Sequence, residues 1–120
     1  MAKILLVEDD AMLIDIYTTK LREANFEVEV AQDGQEALRV VAEKNPDIML
    51  LDIVLPHMDG WEVLEQLKTN RPANLKIFVF SNLSQKDEIE RGAGLGVDKY
   101  LIKAHYTPSQ VIEEIKKTIG

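Results

Sequence analysis

The sequence contains no cysteine, which excludes disulfides, thiol catalysis and thiolate metal sites. Basic residues are few: 14 Lys and Arg stand against 21 Asp and Glu, for a formal charge of −7. They form no stripe able to neutralise a phosphate backbone, so direct nucleic-acid binding is not expected. Long apolar runs are also missing. The first, Ile4 to Val7, is cut off by Glu8, Asp9 and Asp10. It is too short for a signal peptide or a membrane span, and a cytoplasmic protein with no membrane partner is the default expectation.

What is present suffices for one domain. The 120 residues with 46% hydrophobic content can build one substantial core, and a single domain over 1–120, without linker or output domain, is expected. Three runs are continuously apolar rather than alternating: Ile4 to Val7, Ile48 to Leu51 and Ile77 to Phe80. Such runs suit parallel strands covered on both faces. Val28 to Ala31 and Tyr100 to Ile102 are weaker and suit the edges of the same sheet.

Amphipathic stretches separate the strands. Leu13, Ile16, Tyr17 and Leu21 share one helical face, and Val111, Ile112, Ile115 and Ile119 form a buried stripe with Glu113, Glu114, Lys116 and Lys117 outward. Asp33, Ser84 and Thr107 each supply an oxygen acceptor before a helical first turn, the last followed by Pro108. Five strand–helix units predict a doubly wound α/β fold with helices on both faces, because right-handed crossovers place them there. Strand order is not readable from periodicity.

Open α/β sheets bind ligands at the carboxyl ends of their strands. Those ends carry Glu8, Asp9 and Asp10, then Asp52, then Ser81 and Asn82, then Lys103, while the second strand ends in Ala31 and Gln32. If the first and third strands are neighbours, Glu8, Asp9 and Asp52 meet. Two carboxylates ~5 Å apart repel by roughly 3 kcal/mol at an effective dielectric near 20, so the pocket calls for a counterion. All-oxygen donors, with only His57 and His105 elsewhere, favour Mg²⁺ over Zn²⁺, with Mn²⁺ as a substitute.

These pieces stand in a familiar order. The stretch from Ile4 to Asp10, the stretch Leu50 to Gly60 with Asp52, Pro56, Asp59 and Gly60, then Ser81 and Lys103, together resemble the response-regulator receiver domain along essentially the whole chain. The resemblance implies a flavodoxin-like five-stranded parallel sheet in the order 2-1-3-4-5. It implies Glu8, Asp9, Asp52 and the backbone carbonyl of Val54 as metal ligands, Asp52 as phosphoacceptor, and Ser81 and Lys103 on the phosphoryl oxygens. Tyr100 matches the rotating aromatic that acts with Ser81 as the switch, and Asp10 is peripheral. A sensor histidine kinase or phosphotransfer protein is the implied donor. The implied output surface is the fourth helix, fifth strand and fifth helix, facing a protein target, and a phosphorylation-dependent homodimer is a further expectation.

Some positions depart from that pattern. Ala104 follows Lys103 where the family ordinarily has a cis proline; a cis bond before a non-proline residue costs about 3–4 kcal/mol, so a trans bond is expected. Asn82 replaces a small residue and is expected to narrow access to Asp52 or to bond the phosphoryl group. Val54 and Leu83 are apolar where attacking water is tuned, which predicts a long-lived phosphoryl group. Gly92 to Gly96 reads as a helix terminus and turn rather than a dinucleotide loop, since the last glycine of that motif would be Val97. His57 reads as a solvent-facing loop residue, Asp59 and Gly60 as a cap and turn, and Trp61 and Tyr106 as locally packed aromatics. Two other function classes compete with the switch. An aspartyl-phosphate hydrolase of the haloacid dehalogenase type lacks its second Asp, replaced here by Val54. A phosphorylation-independent binding module sits poorly with the retained Glu8, Asp9, Asp52, Ser81 and Lys103.

Overall fold

The computed structural model describes residues 1–119. Strands β1 (Lys3–Val7), β2 (Glu27–Ala31), β3 (Ile48–Leu51), β4 (Lys76–Ser81) and β5 (Lys99–Ile102) alternate with helices α1 (Ala11–Glu23), α2 (Gly34–Lys44), α3 (Gly60–Asn70), α4 (Lys86–Gly94) and α5 (Pro108–Ile119). All pairings are parallel, in the order β2-β1-β3-β4-β5. This is the flavodoxin-like doubly wound fold expected above. The strongest apolar runs are β1, β3 and β4, and they occupy the centre.

Alternation along the strands divides the core in two. Ile4, Leu6, Ile48, Leu50, Phe78 and Phe80 pack under α1 and α5 with Tyr17, Leu21, Val111 and Ile115. Leu5, Val7, Met49, Leu51, Ile77 and Val79 pack under α2 and α3 with Val40, Val63 and Leu64. Burial of both faces is the reason these strands read as unbroken apolar runs.

The helix starts follow local hydrogen bonding. Asp33 accepts the Glu36 N–H at 2.8 Å. Thr107 and Gln110 bond reciprocally, side chain to backbone, at 2.8 and 3.2 Å, which satisfies two donors that the first turn of α5 leaves free. Three expectations need correction. Helix α4 is capped at Gln85, not Ser84: the Glu88 carboxylate reaches back to the Gln85 N–H at 2.9 Å, one residue later than an oxygen-acceptor rule places it. Ile119 lies outside the buried stripe at 37% exposure, because the sheet ends before the last turn. Glu114 is drawn in by Lys99 at 3.4 Å rather than facing outward.

The chain direction reverses between β1 and β3. From β1 it winds one way to β2, and from β3 the other way to β4 and β5. The loops leaving β1 and β3 therefore separate and leave a crevice at their carboxyl ends.

Candidate functional site

That crevice collects the acidic residues. Glu8 follows β1, with its backbone N–H bonded to Ala31 at 2.9 Å, and Asp52 follows β3, with its N–H bonded to Val7 at 3.1 Å. Both sit one step past the ladder with their backbone N–H groups still bonded to the neighbouring strand. Glu8 is 2% exposed and Asp52 7%. With the exposed Asp9 they offer three carboxylate oxygens within 4.8 Å of one another.

Lys103 enters from the end of β5. Its ammonium lies 2.7 Å from Glu8 Oε1 and 2.8 Å from Asp52 Oδ2. The crowding that called for a counterion is thus met in part by the protein itself. Periodicity had no signal for the Lys103–Glu8 contact, which joins residues at opposite ends of the chain. Burial pulls the Lys103 ammonium down, but its bonds to Asp52 and Glu8 outweigh that and hold it above the ordinary lysine value. Burial also holds the Glu8 carboxyl above the usual carboxylate range, against the pull of Lys103.

The remaining oxygens have weaker partners. Glu8 Oε2 accepts the Asp10 N–H at 3.2 Å and Asp52 Oδ1 accepts the Val54 N–H at 3.4 Å. Asp10 is not a further pocket ligand; it caps α1 through the Met12 and Leu13 N–H groups at 2.9 and 3.1 Å. Val54 turns its side chain to solvent at 64% exposure. Ser81 is buried at the end of β4, and its Oγ accepts the Leu83 N–H at 3.3 Å.

Gly60 shows how closely the loop after β3 is folded. A Cβ there would stand 2.7 Å from the Asp52 carbonyl oxygen and from Ile53 Cα, so no larger residue fits without moving the backbone that carries Asp52. Asp59 caps α3 through the Glu62 N–H at 3.0 Å. His57 is exposed, with φ +62°. Trp61 is half-buried beneath the Arg91 guanidinium, 4.3 Å from its ring centre. Tyr106 packs on the α1–α5 side of the core. Gly92 and Gly94 close α4, and Gly96 turns the chain at φ +86°.

Tyr100 is half-buried on β5 and donates its phenol to the Leu83 carbonyl at 2.7 Å. Its ring packs against α4, 3.2 Å from where a Cβ on Gly92 would lie. Burial raises its pKa, aided by Glu88 and Asp52. The Lys103–Ala104 bond is trans, since no cis peptide occurs among the described residues. Asn82 Oδ1 accepts the Ala104 N–H at 3.1 Å. The substitution of Ala104 for proline was the one sequence signal for that bond.

A doubly wound sheet with three carboxylates and a lysine at its β1/β3 crevice defines an α/β protein whose rim has a donor set suited to a hard cation. The sequence model of the response regulator receiver domain matches residues 4–116, and the chain belongs to that family, which is used in two-component signalling. It is 33% identical over 117 residues to the alkaline phosphatase synthesis transcriptional regulatory protein PhoP of Bacillus subtilis, covering 95% of this chain and 47% of that protein. Among solved structures it resembles a CheY-like response regulator receiver domain protein from Methanospirillum hungatei JF-1, with TM-score 0.90, 29% identity, and coverage of 98% of this chain and 93% of that one. The receiver domain of the Francisella response regulator 1452 superposes with TM-score 0.88 at 27% identity, covering 97% and 94%. The chain spans about half the length of the curated relatives it matches. No helix among the described residues is long and apolar enough to cross a membrane.

Proposed function

We propose that this chain is a phosphoryl-accepting switch in which Asp52 takes the phosphoryl group from the phosphohistidine of a sensor histidine kinase or phosphotransfer protein. The observation that carries the reading is the set of three carboxylate oxygens within 4.8 Å, with the Lys103 ammonium 2.8 Å from Asp52. An all-oxygen donor set of this charge fits a hard divalent ion. Glu8, Asp9, Asp52 and the Val54 backbone carbonyl would hold Mg²⁺, or Mn²⁺ in its place, and its charge would offset that of the phosphoryl oxygens.

The protein's own residues position and neutralise. An Asp52 oxygen forms the new O–P bond as the P–N bond to imidazole breaks, and the imidazole leaves with the electron pair. Lys103 is already poised to pass from the Asp52 carboxylate to a phosphoryl oxygen. Ser81 gives up its bond from the Leu83 N–H and donates to another phosphoryl oxygen. Because Leu83 also holds the Tyr100 phenol, movement of this loop releases or redirects Tyr100 against α4. The surface of α4, β5 and α5 changes with it, and there we place the protein target and a phosphorylation-dependent homodimer.

The domain 1–120 acts as a cytoplasmic unit that catalyses only its own phosphorylation and dephosphorylation, without direct contact to nucleic acid. Apolar Val54 and Leu83 favour a long-lived phosphoryl group. Incubation with Mg²⁺ and acetyl phosphate tests the reading. Intact mass should rise by one phosphoryl group in the native chain and not in Asp52→Asn. Equal behaviour of the two would overturn the proposal in favour of a constitutive binding module.

A further inference from the structure

The loop after β4 and the loop after β5 are joined by the hydrogen bond from the Ala104 N–H to Asn82 Oδ1 at 3.1 Å. Each partner adjoins a residue of the pocket, since Asn82 follows Ser81 and Ala104 follows Lys103. Ala104 lies in the 3₁₀ turn Lys103–His105, and Ile102, which precedes the turn, provides no side-chain cap. The first N–H groups of such a turn have no partner within it. Asn82 supplies the missing acceptor from the loop after β4, 22 positions away along the chain. The bond exists only because residue 104 is not proline, which has no N–H to donate.

Resting on the phosphoacceptor reading above, we infer that Asn82 is a positioning residue that acts through Lys103. The clasp fixes the backbone from which the lysine springs and ties it to the strand end that carries Ser81. Lys103 reaches Glu8 and Asp52 at 2.7 and 2.8 Å on a long, flexible stem. A shift at its root moves the ammonium off both carboxylates. A phosphoryl oxygen would take its bond from Asn82 Nδ2, a contact that survives loss of the Ala104 N–H, whereas influence through Lys103 does not.

The test uses the full chain with Mg²⁺ and acetyl phosphate. Asn82→Ala should slow uptake at Asp52 about three- to tenfold, the worth of one ordinary hydrogen bond. In an Ala104→Pro background, which has no N–H to clasp, the same substitution should leave the rate unchanged. Hydrogen exchange reads the clasp without activity: the Ala104 amide should be protected in the native chain and in Asn82→Asp, which keeps the acceptor, and should exchange faster in Asn82→Ala. An unchanged rate in Asn82→Ala, an equal slowing in the Ala104→Pro background, or unaltered exchange at Ala104 would overturn the inference. Should Ala104→Pro fail to fold, the Asn82→Ala rate and the exchange measurement decide. A native chain that takes up no phosphoryl group would overturn the phosphoacceptor reading instead, and exchange at Ala104 would still decide the clasp.

Discussion

At the amino end of the sheet Asp47 accepts the Lys3 N–H at 2.8 Å, and Asp98 accepts both the Ile77 N–H at 2.8 Å and the Arg71 guanidinium at 2.6 Å. At the carboxyl end Glu8, Asp9 and Asp52 have one ammonium, Lys103, between them. The same residue types thus close one rim and leave the other short of positive charge. Arg71 also bonds the Leu75 and Gly96 carbonyls, so it staples the end of α3 to the starts of β4 and β5. Acidic groups at the first rim hold structure together, whereas those at the second form the pocket proposed above to take a cation and a phosphoryl group.

This contrast can be broken most forcefully at Lys103. Lys103→Met leaves two buried carboxylates unpaired, and in the absence of divalent ions unfolding by urea should show a loss of about 3 kcal/mol. Added Mg²⁺ should restore part of it. If the variant is as stable as the native chain without metal, the pocket is not short of charge as described.

At the opposite rim Asp98→Ala orphans the Ile77 N–H and the Arg71 guanidinium. The same denaturation should report a loss of about 2 kcal/mol, unaffected by Mg²⁺. Asp9→Asn is the matched change at the acidic rim and should have the opposite sign. It removes repulsion worth about 0.5–1 kcal/mol once solvent screening at this exposed side chain is allowed for. The variant should therefore be slightly more stable without metal, yet gain less from Mg²⁺ than the native chain. A loss of metal-free stability on Asp9→Asn would erase the distinction between the rims.

The smallest effect lies where the acidic rim meets the core. Buried Tyr17 has its pKa pushed up to about 12, by burial first and then by the Glu8 charge. A phenol whose value is higher folded than unfolded contributes stability that is fully present below the unfolded value, 10.0, and is lost as pH rises through about 12. Tyrosinate absorbance of the native chain should show a late titration that Tyr17→Phe removes. In Glu8→Gln that titration should move modestly downward and remain above that of an exposed tyrosine.

The sequence by itself determined the elements and the chemical inventory. Ile4 to Val7, Ile48 to Leu51 and Ile77 to Phe80 announced the central strands because burial on both faces leaves no polar alternation. Asp33 and Thr107 announced helix starts because capping is local. Glu8, Asp9, Asp52, Ser81 and Lys103 could be singled out because each ends an apolar run. Short-range rules failed where long-range ones took over. Ser84 lost the α4 cap to Gln85 and its bond from Glu88, and Ile119 passed the edge of the sheet. Only the tertiary structure decided that Lys103 bridges Glu8 and Asp52, that Asn82 holds Ala104, that Tyr100 holds Leu83, and that Arg71 locks Asp98. Each of these contacts joins segments brought side by side by parallel crossovers. Periodicity reports which face of an element is buried, but not which distant side chain will meet it there.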